Sequence, residues 1–450
     1  MIVTRKGFRG LVNAVFGGSG FPADAATVEF PAQMFLADGD LSPIKESIDK
    51  IAYGLTKWKP AIEEKKMYAS AKITVEGKDY QEAVTNMNLL FLRNQWGDGL
   101  PILPATEERV NWILTGTDLP RDKVIDKIVP RGGIATIEQI AVALAMSGGR
   151  PEYLPVLIAT VEALVDPLSR YADMATTTGS NYPVVIVSGP IAKQIRINSG
   201  YGCLGPDPNH PAGAGIGRAL RLLQMDLGGA IPGAGTMSIY GGANRYTNIV
   251  FAEDEEGIPQ GWEPLGVERG FPKGSNVVTI HFANATINMH GADTSTEQGA
   301  MQVLHKWAGY IGIPNANYWS TLPRWENGSP GILLMPRGTA RGLDELGWSK
   351  DKIRNLLWEE SKLPPSKVKD YGFERVAQAL SLDPAMPMPV SKTPKSLTIV
   401  VAGGEQSGHA YFMPNQGNTP MSREIKLPTE WKWNDLLKQA QIDLGQIPDR

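Results

Sequence analysis

The stretch Met1 to Phe30, MIVTRKGFRGLVNAVFGGSGFPADAATVEF, decides the class of fold. Its first five residues, Met1 to Arg5, read as a short strand. Gly7 to Phe16 read as a helix, with Phe8, Leu11, Val12 and Val15 on one face. Ala26 to Phe30 read as a second strand. Ser42 to Trp58 read as a second helix, with Ser42 as N-cap and Pro43 at the first helical position. Strand, helix, strand, helix is the grammar of a parallel sheet covered by helices. The expected class is therefore α/β. Residues 1–60 form the N-terminal half of a doubly wound, flavodoxin-like sheet, and a larger loop-rich α/β domain with a mixed sheet follows. Two parallel strands do not make a stable sheet alone. The rest of the chain, or another chain, is expected to complete it.

Working outward, residues 61–105 read as a linker, a strand from Ala71 to Glu76, a helix and a Gly/Pro loop. The helix is opened by the capping box Asp79 and Glu82 and runs through Leu92. The loop is Trp96 to Pro104. Residues 106–430 read as the main α/β domain. In it, Thr106 to Thr115 and Arg121 to Val129 are expected as short helices. Thr136 and Gln139 open a buried helix from Ile137 to Met146, and Tyr153 to Val165 is apolar enough for a core helix. Val184 to Val187 is a buried strand by its β-branched run. Ser188 to Pro211 is irregular, and a helix from Ile216 to Leu227 is stopped by Gly228 and Gly229. Asn248 to Ala252, Val277 to Phe282, Leu333 with Leu334, and Leu397 to Ala402 read as strands. Met301 to Ile311 and Asp351 to Glu360, the latter capped by Ser349, read as helices. Residues 431–450 are a terminal helix and tail. No repeat is visible at 20 to 50 residues.

The chain has 450 residues, of which 42% are hydrophobic and 20% charged. That is a globular balance and excludes disorder over most of its length. The 44 basic and 47 acidic residues leave a net charge of -3. Nucleic acid is therefore not an expected partner, since phosphate binding wants a concentrated basic surface. No run of apolar residues is long enough to cross a membrane, and no signal-peptide core follows Met1. The single cysteine, Cys203, excludes a disulfide framework within the chain and a cysteine-rich metal site. A cytoplasmic location is expected from that usage. The 49 Gly and 34 Pro sit in loops between short elements.

The densest polar stretch is Asn198-Ser199-Gly200-Tyr201-Gly202-Cys203-Leu204-Gly205-Pro206. Such a loop exposes backbone N–H groups and can bring a sulfur to a ligand. Cys203 becomes a nucleophile if a cation or helix N-terminus lowers its pKa; otherwise it is a small buried hydrophobe. Gly213, Gly215 and Gly217 do not follow a strand, because Pro208 and Pro211 precede them, so they are no dinucleotide fingerprint. Two readings stay open for that run. One is anion capture at a helix N-terminus with help from Arg218; the other is close packing of a helix on a sheet. His210, His281 and His290 would be the ligands if a metal were bound. His290, in the polar segment Asn288 to Asp293, is also a candidate proton carrier. Glu263 is a second candidate for acid–base work if buried. Glu268 with Arg269 reads as an ion pair. Thr177, among the hydroxyls before Val184, is a candidate substrate contact.

Longer motifs carry a resemblance. They are Gly149-Arg150-Pro151-Glu152-Tyr153-Leu154-Pro155, Val187-Ser188-Gly189-Pro190, Asn198-Ser199-Gly200-Tyr201 and Ile216-Gly217-Arg218-Ala219-Leu220-Arg221-Leu222. Trp262-Glu263-Pro264-Leu265, Glu268-Arg269-Gly270-Phe271 and Gly347-Trp348-Ser349-Lys350 complete the set. Over roughly residues 85–430 they resemble the large proteins associated with the UGSC-type (seleno)protein family. The first sixty residues resemble the second half of the small UGSC-type domain. In that family a redox motif, selenocysteine or cysteine followed by Gly-Ser-Cys, precedes this part. This chain has no cysteine before Cys203. The resemblance therefore implies that the redox half is either missing or carried by a small redox partner chain that completes the N-terminal sheet. Arg337-Gly338-Thr339-Ala340 stands where the family pattern would put a histidine before the alanine.

The leading expectation is an enzyme, or the large subunit of one, cleaving or reducing a carbon–heteroatom bond of a small organic substrate with a thiol. Cys203, His290 and Glu263 would be catalytic. Asn198, Ser199, Tyr201, Arg218 and Thr177 would bind substrate. No cofactor is predicted, and an oligomer is expected. A metal-dependent hydrolase or hydratase, and a non-catalytic scaffold for the redox partner, are the alternatives.

Overall fold

Strand β5 (Tyr182–Ser188) is buried along its whole length, and its side chains alternate between two different cores. Val185 and Val187 join a core with Leu144, Leu157, Val161 and Leu220. Val184 and Ile186 face the other way, into a core with Phe251, Ile332, Leu334 and Met413. A strand with apolar residues on both faces needs cover on both faces. Here one cover is helical and the other is a second sheet. The computed structural model, a mixed α/β structure, describes residues 1–18, 26–36, 39–59, 72–312, 325–415 and 418–445.

Twelve strands are involved. In chain order they are β1 (Ile2–Arg5), β2 (Thr27–Phe30), β3 (Val124–Ile128), β4 (Gly133–Thr136), β5, β6 (Ile249–Ala252), β7 (Val277–Ala283), β8 (Ile287–His290), β9 (Gly331–Met335), β10 (Thr398–Val401), β11 (His409–Pro414) and β12 (Met421–Glu424). One four-stranded sheet runs β12-β7-β5-β6 and the other β8-β11-β9-β10. The two have the same plan. β5 is parallel to β6, while β7 is antiparallel to β5 and to β12. β9 is parallel to β10, while β11 is antiparallel to β9 and to β8. The chain leaves β7 to form the edge strand β8 of the second sheet, and leaves β11 to form the edge strand β12 of the first. The exchange is reciprocal. At the crossing, Ala283 and Asn415 form an antiparallel bridge.

The sheets lie face to face across the core of Val184, Ile186, Phe251, Leu334 and Val400. Outside the first sheet pack the helices Ile137–Met146, Leu154–Leu164 and Ala212–Asp226; outside the second pack Glu297–Ile311, Arg337–Glu345 and Lys350–Glu360. The order of layers is helix, sheet, sheet, helix. The terminal helix Glu430–Leu444 closes back on the first half, with Trp433 in its core. The N-terminal strands belong to neither of these sheets, although Gly18 lies against the backbone of Pro130 and Arg131. β1 and β2 pair in parallel as a sheet of their own, and Val28, Phe30 and Met34 form its small core.

The three side-chain caps expected from local pattern are in place, and Thr106 adds a fourth. Asp79, Thr136 and Ser349 accept from the N–H groups of Glu82, Gln139 and Lys352, and Thr106 from that of Arg109. Several expectations are corrected. Ser42 is not an N-cap; it lies within the first turn, and the Asp40 carboxylate takes both its N–H (2.8 Å) and its hydroxyl (2.7 Å). The long helix there breaks at Ser47 into Ser42–Glu46 and Ile48–Thr56. Residues 72–76 are not a strand; Ala71 and the start of the expected linker lie outside the described residues. Arg121 to Val129 is not a helix. It holds β3, which pairs with β4 in a hairpin. The helix expected from Ile216 begins at Ala212, so Gly213, Gly215 and Gly217 are helical.

Those glycines settle the packing. A Cβ on Gly217 would lie 1.8 Å from the Thr247 carbonyl oxygen, and one on Gly213 would lie 2.6 Å from that of Val250. The helix touches β6 backbone to backbone, and only glycine permits that approach. Gly215 is different, because its Cβ would meet nothing closer than 3.8 Å. We expect Gly217→Ala to lower unfolding free energy by about 3 kcal/mol through overpacking. Gly215→Ala should be neutral or stabilising by up to about 1 kcal/mol through helix propensity. Urea unfolding of the two variants checks the contrast, and equal effects would contradict it.

Candidate active site

The carboxyl ends of the parallel pairs β5/β6 and β9/β10 meet at the seam between the sheets. Glu253 N–H donates to Val187 O (3.0 Å), Asp254 N–H to Val401 O (2.8 Å) and Ala402 N–H to Met335 O (3.0 Å). The polar loop after β5 crosses this seam, since Ala252 N–H donates to Asn198 O (2.9 Å) and Gly403 N–H to Ser199 O (2.8 Å). The ends of parallel strands are the usual place for ligand sites in α/β folds. The loop then runs on through Asp207 and His210 to the head of the Ala212–Asp226 helix.

A groove of about 680 Å³ opens at that helix head. One wall is the loop itself, with Pro206, Asp207, Pro208 and Pro211. The rest of the lining brings Arg109, Trp112, Arg150 and Tyr153 from elements well upstream in the chain. Pro211 occupies the N-cap position, no side chain caps the first turn, and no acidic residue stands in it. The helix thus presents open N–H groups and its positive end. Arg218 lines the same groove but is held by Asp98 in a bidentate pair, at 2.9 and 3.1 Å. Arg150 is held by Glu152 (2.6 Å) and Asp443 (2.8 Å). Arg109 meets only carbonyls, those of Ala145 (3.1 Å) and Gly149 (3.3 Å). Its charge has no carboxylate partner among the described residues. The Tyr153 hydroxyl has no hydrogen-bond partner, and burial pushes its pKa up.

On the loop wall, Asn198 donates to Asp207 Oδ2 (3.1 Å), and that same oxygen bonds His210 Nδ1. A carboxylate on one imidazole nitrogen fixes the ring and its tautomer and leaves Nε2 for another partner. This is the geometry of an oriented general acid–base.

The remaining expected residues are dispersed. Cys203 is buried in the core between the sheets, and burial pushes its thiol pKa up to about 12. The thiolate needed for nucleophilic chemistry is therefore scarce at neutral pH. Ser199 contributes its carbonyl to the seam. Tyr201 lies 62% exposed against Gly404. Glu263 is exposed, and its carbonyl, not its carboxylate, takes the buried Lys350 ammonium (2.6 Å). Thr177 ends the Tyr171–Thr176 helix and accepts from Gly179 N–H (3.2 Å). Glu268 pairs with Arg354 (2.8 Å) rather than with its neighbour Arg269. His290 is not in a loop; it is an exposed residue of β8, opposite His409 in the register. His281 lies on β7 in the other sheet, fully buried, with Nε2 3.3 Å from Thr398 Oγ1. Its burial drives the pKa well below the ordinary histidine value. The histidines His210, His281 and His290 are thus on a loop and on two different sheets. Among the described residues no group of three His, Cys, Asp or Glu side chains is placed to hold a metal ion. No described helix is long and apolar enough to cross a membrane.

Local pattern pointed to Asn198, Arg218 and the loop. It did not point to Arg109, Trp112, Arg150 and Tyr153 as lining of the same groove, or to Asp207 as the partner of His210. The last had a signal, an Asp three residues before a His. No protein-family model, curated protein or solved structure matches this chain.

Sequence reading also passed over Glu253 as a titrating group. It is buried at the seam, where Ser188 Oγ and Leu265 N–H both donate to Oε2 at 2.9 Å and Oε1 has no partner. Burial raises its pKa to about 7 against the pull of Lys350. A carboxyl raised in the folded state stabilises at low pH and loses that contribution as pH rises through its folded pKa. Over the span from 4.5 to about 7 this amounts to about 3 kcal/mol. We expect Glu253→Gln to flatten the fall in unfolding free energy between about pH 4.5 and 7, the span that those two pKa values bracket; an unchanged pH profile would refute the assignment. For Cys203 we expect negligible iodoacetamide labelling of the native protein and full labelling in denaturant, read by mass spectrometry. Fast native labelling would show an accessible thiolate.

Proposed function

We propose that this protein is an enzyme acting on a small anionic organic molecule bound in the groove at the head of the Ala212–Asp226 helix. The observation that supports this most is the Asn198–Asp207–His210 chain, whose Asp207 lines the same groove as Arg109. Arg109 and the open N–H groups of the helix take the negative group of the substrate. His210 moves the proton through Nε2 while Asp207 holds Nδ1. The reaction we favour is carbon–heteroatom cleavage by elimination. His210 takes a proton from the carbon beside the anionic group. The C–H electron pair becomes a double bond, and the heteroatom leaves with its bonding pair. Cys203 has no part in this route, because its thiol is buried and protonated.

A second reading has its own support. Among the described residues the β1/β2 sheet has two strands, and Val3, Leu36, Leu41, Tyr53 and Leu55 are exposed in that module. A further strand and helix there would bury them. The UGSC-type resemblance would assign that piece to a small redox chain, with the present chain as its scaffold or large subunit.

The test is a set of variants assayed against small carboxylates and phosphate esters. We expect His210→Gln to lose about 10²- to 10⁴-fold in kcat with little change in KM. Arg109→Met should lose about tenfold or more in substrate affinity, as expected for a charge-assisted hydrogen bond worth about 1.5 kcal/mol or more. Cys203→Ser should retain activity. Loss of activity in Cys203→Ser with retention in His210→Gln would overturn this proposal in favour of thiol chemistry.

A further inference from the structure

One turn beyond Arg218 on the same helix, Arg221 lines a separate small cavity. That cavity is about 10 Å³, room for one water-sized particle. It is lined by Arg221 and Arg245, with Tyr171, Gln224, Asn248 and Phe282 around them. Arg221 is 8% exposed and makes no hydrogen bond or ion pair in the described structure. Arg245 donates Nε to Asn181 O (2.9 Å) and Nη1 to Thr236 Oγ1 (3.4 Å) and pairs with no carboxylate. The Tyr171 hydroxyl, 5% exposed, also lacks a hydrogen-bond partner.

Two buried guanidinium groups on one cavity repel each other, and each costs solvation energy. Burial, with Arg221 as a neighbouring like charge, lowers the Arg245 pKa to about 10. The carboxylates that act on Arg221 from a distance are Asp98 and Asp226. Asp98 is committed to Arg218, and Asp226 accepts from Gly97 N–H (2.7 Å). Neither lies within ion-pair distance of Arg221. Protein-borne compensation is therefore missing, while unspent donors from Arg221, Arg245 and Tyr171 converge on one small space. Donors around a space that small suit a single compact anion.

We infer that the cavity between Arg221 and Arg245 is a binding site for one small inorganic anion of chloride's size, which serves as the counter-ion to both arginines. It shares no lining residue with the groove and does not depend on the proposed reaction. The segment from Thr236 to Tyr246 covers it. That segment is tied down by Ile239 N–H on Thr178 O (3.1 Å) and by Ser238 Oγ on Ser180 Oγ (3.2 Å). Anion binding would thus fix a loop that carries three exposed apolar side chains, Ile239, Tyr240 and Tyr246.

Two measurements on the full chain test this. The first is thermal unfolding in sodium chloride against sodium gluconate at equal ionic strength, for the wild type and Arg221→Met. A saturable rise in Tm with chloride in the wild type, absent in Arg221→Met, is expected. No chloride-specific rise, or the same rise in both proteins, overturns the inference. The second is bromide soaking of crystals. An anomalous peak within hydrogen-bond reach of both guanidinium groups is expected, and a cavity holding only water overturns the inference. If Arg221→Met fails to fold, the bromide peak decides by itself.

Discussion

The contact of two sheets, face to face, sets the terms for the rest of this structure. Val184 and Ile186 of β5 meet Ile332 and Leu334 of β9 in one buried apolar core. Each sheet then has a second apolar face, and only helices laid on the outside can cover it. The reciprocal exchange of β8 and β12 ties the halves together, because neither sheet is complete without a strand carried by the other half of the chain. The halves therefore cannot separate without exposing two sheet edges as well as the shared core.

That arrangement explains where the charges lie. The carboxyl ends of β5, β6, β9 and β10 converge on the seam, so groups placed just after those strands are drawn out of water. Asp254 is matched by a bidentate pair with Arg337, at 2.7 and 2.8 Å. Lys350 and Arg354 share Glu268, at 3.7 and 2.8 Å. Glu253 has two donors on one oxygen and none on the other, and burial raises its pKa further than those two donors lower it. Cys203 and His281 are the same case with weaker polar groups, held neutral by burial.

The Ala212–Asp226 helix joins the two places where ligand chemistry concentrates. Its glycines let it lie directly on β6. Being that close, it brings its N-terminus to the groove, while Arg218 and Arg221, one turn apart, line two different cavities. Arg218 meets Asp98, whereas Arg221 meets no carboxylate. One helix thus carries a balanced arginine at the open groove and an unbalanced one at a closed cavity.

The sequence by itself determined what local chemistry determines. The α/β class, the βα units at the start, and the caps at Asp79, Thr136 and Ser349 depend on residues within a few positions of one another. So does the buried strand at Val184 to Val187, whose β-branched run suits a pleated strand. Part of the site was legible in the same way, as a polar loop of Asn198 to Pro211 running into a helix with Arg218. Tertiary structure alone decided the rest. β3 was read as helix because a five-residue Val-Ile-Asp-Lys-Ile run becomes a strand only when β4 pairs with it. β8, β11 and β12 were missed as paired strands because edge pairing is a contact between distant segments. Cys203 looked reactive in a glycine-rich loop until the second sheet buried it. Arg109 and Tyr153 line the same groove as Asp207 only because helices far apart in sequence pack on the same sheet. Hydrogen bonds within a turn can be written in neighbouring residues; cores, grooves and unmatched charges arise where remote segments meet.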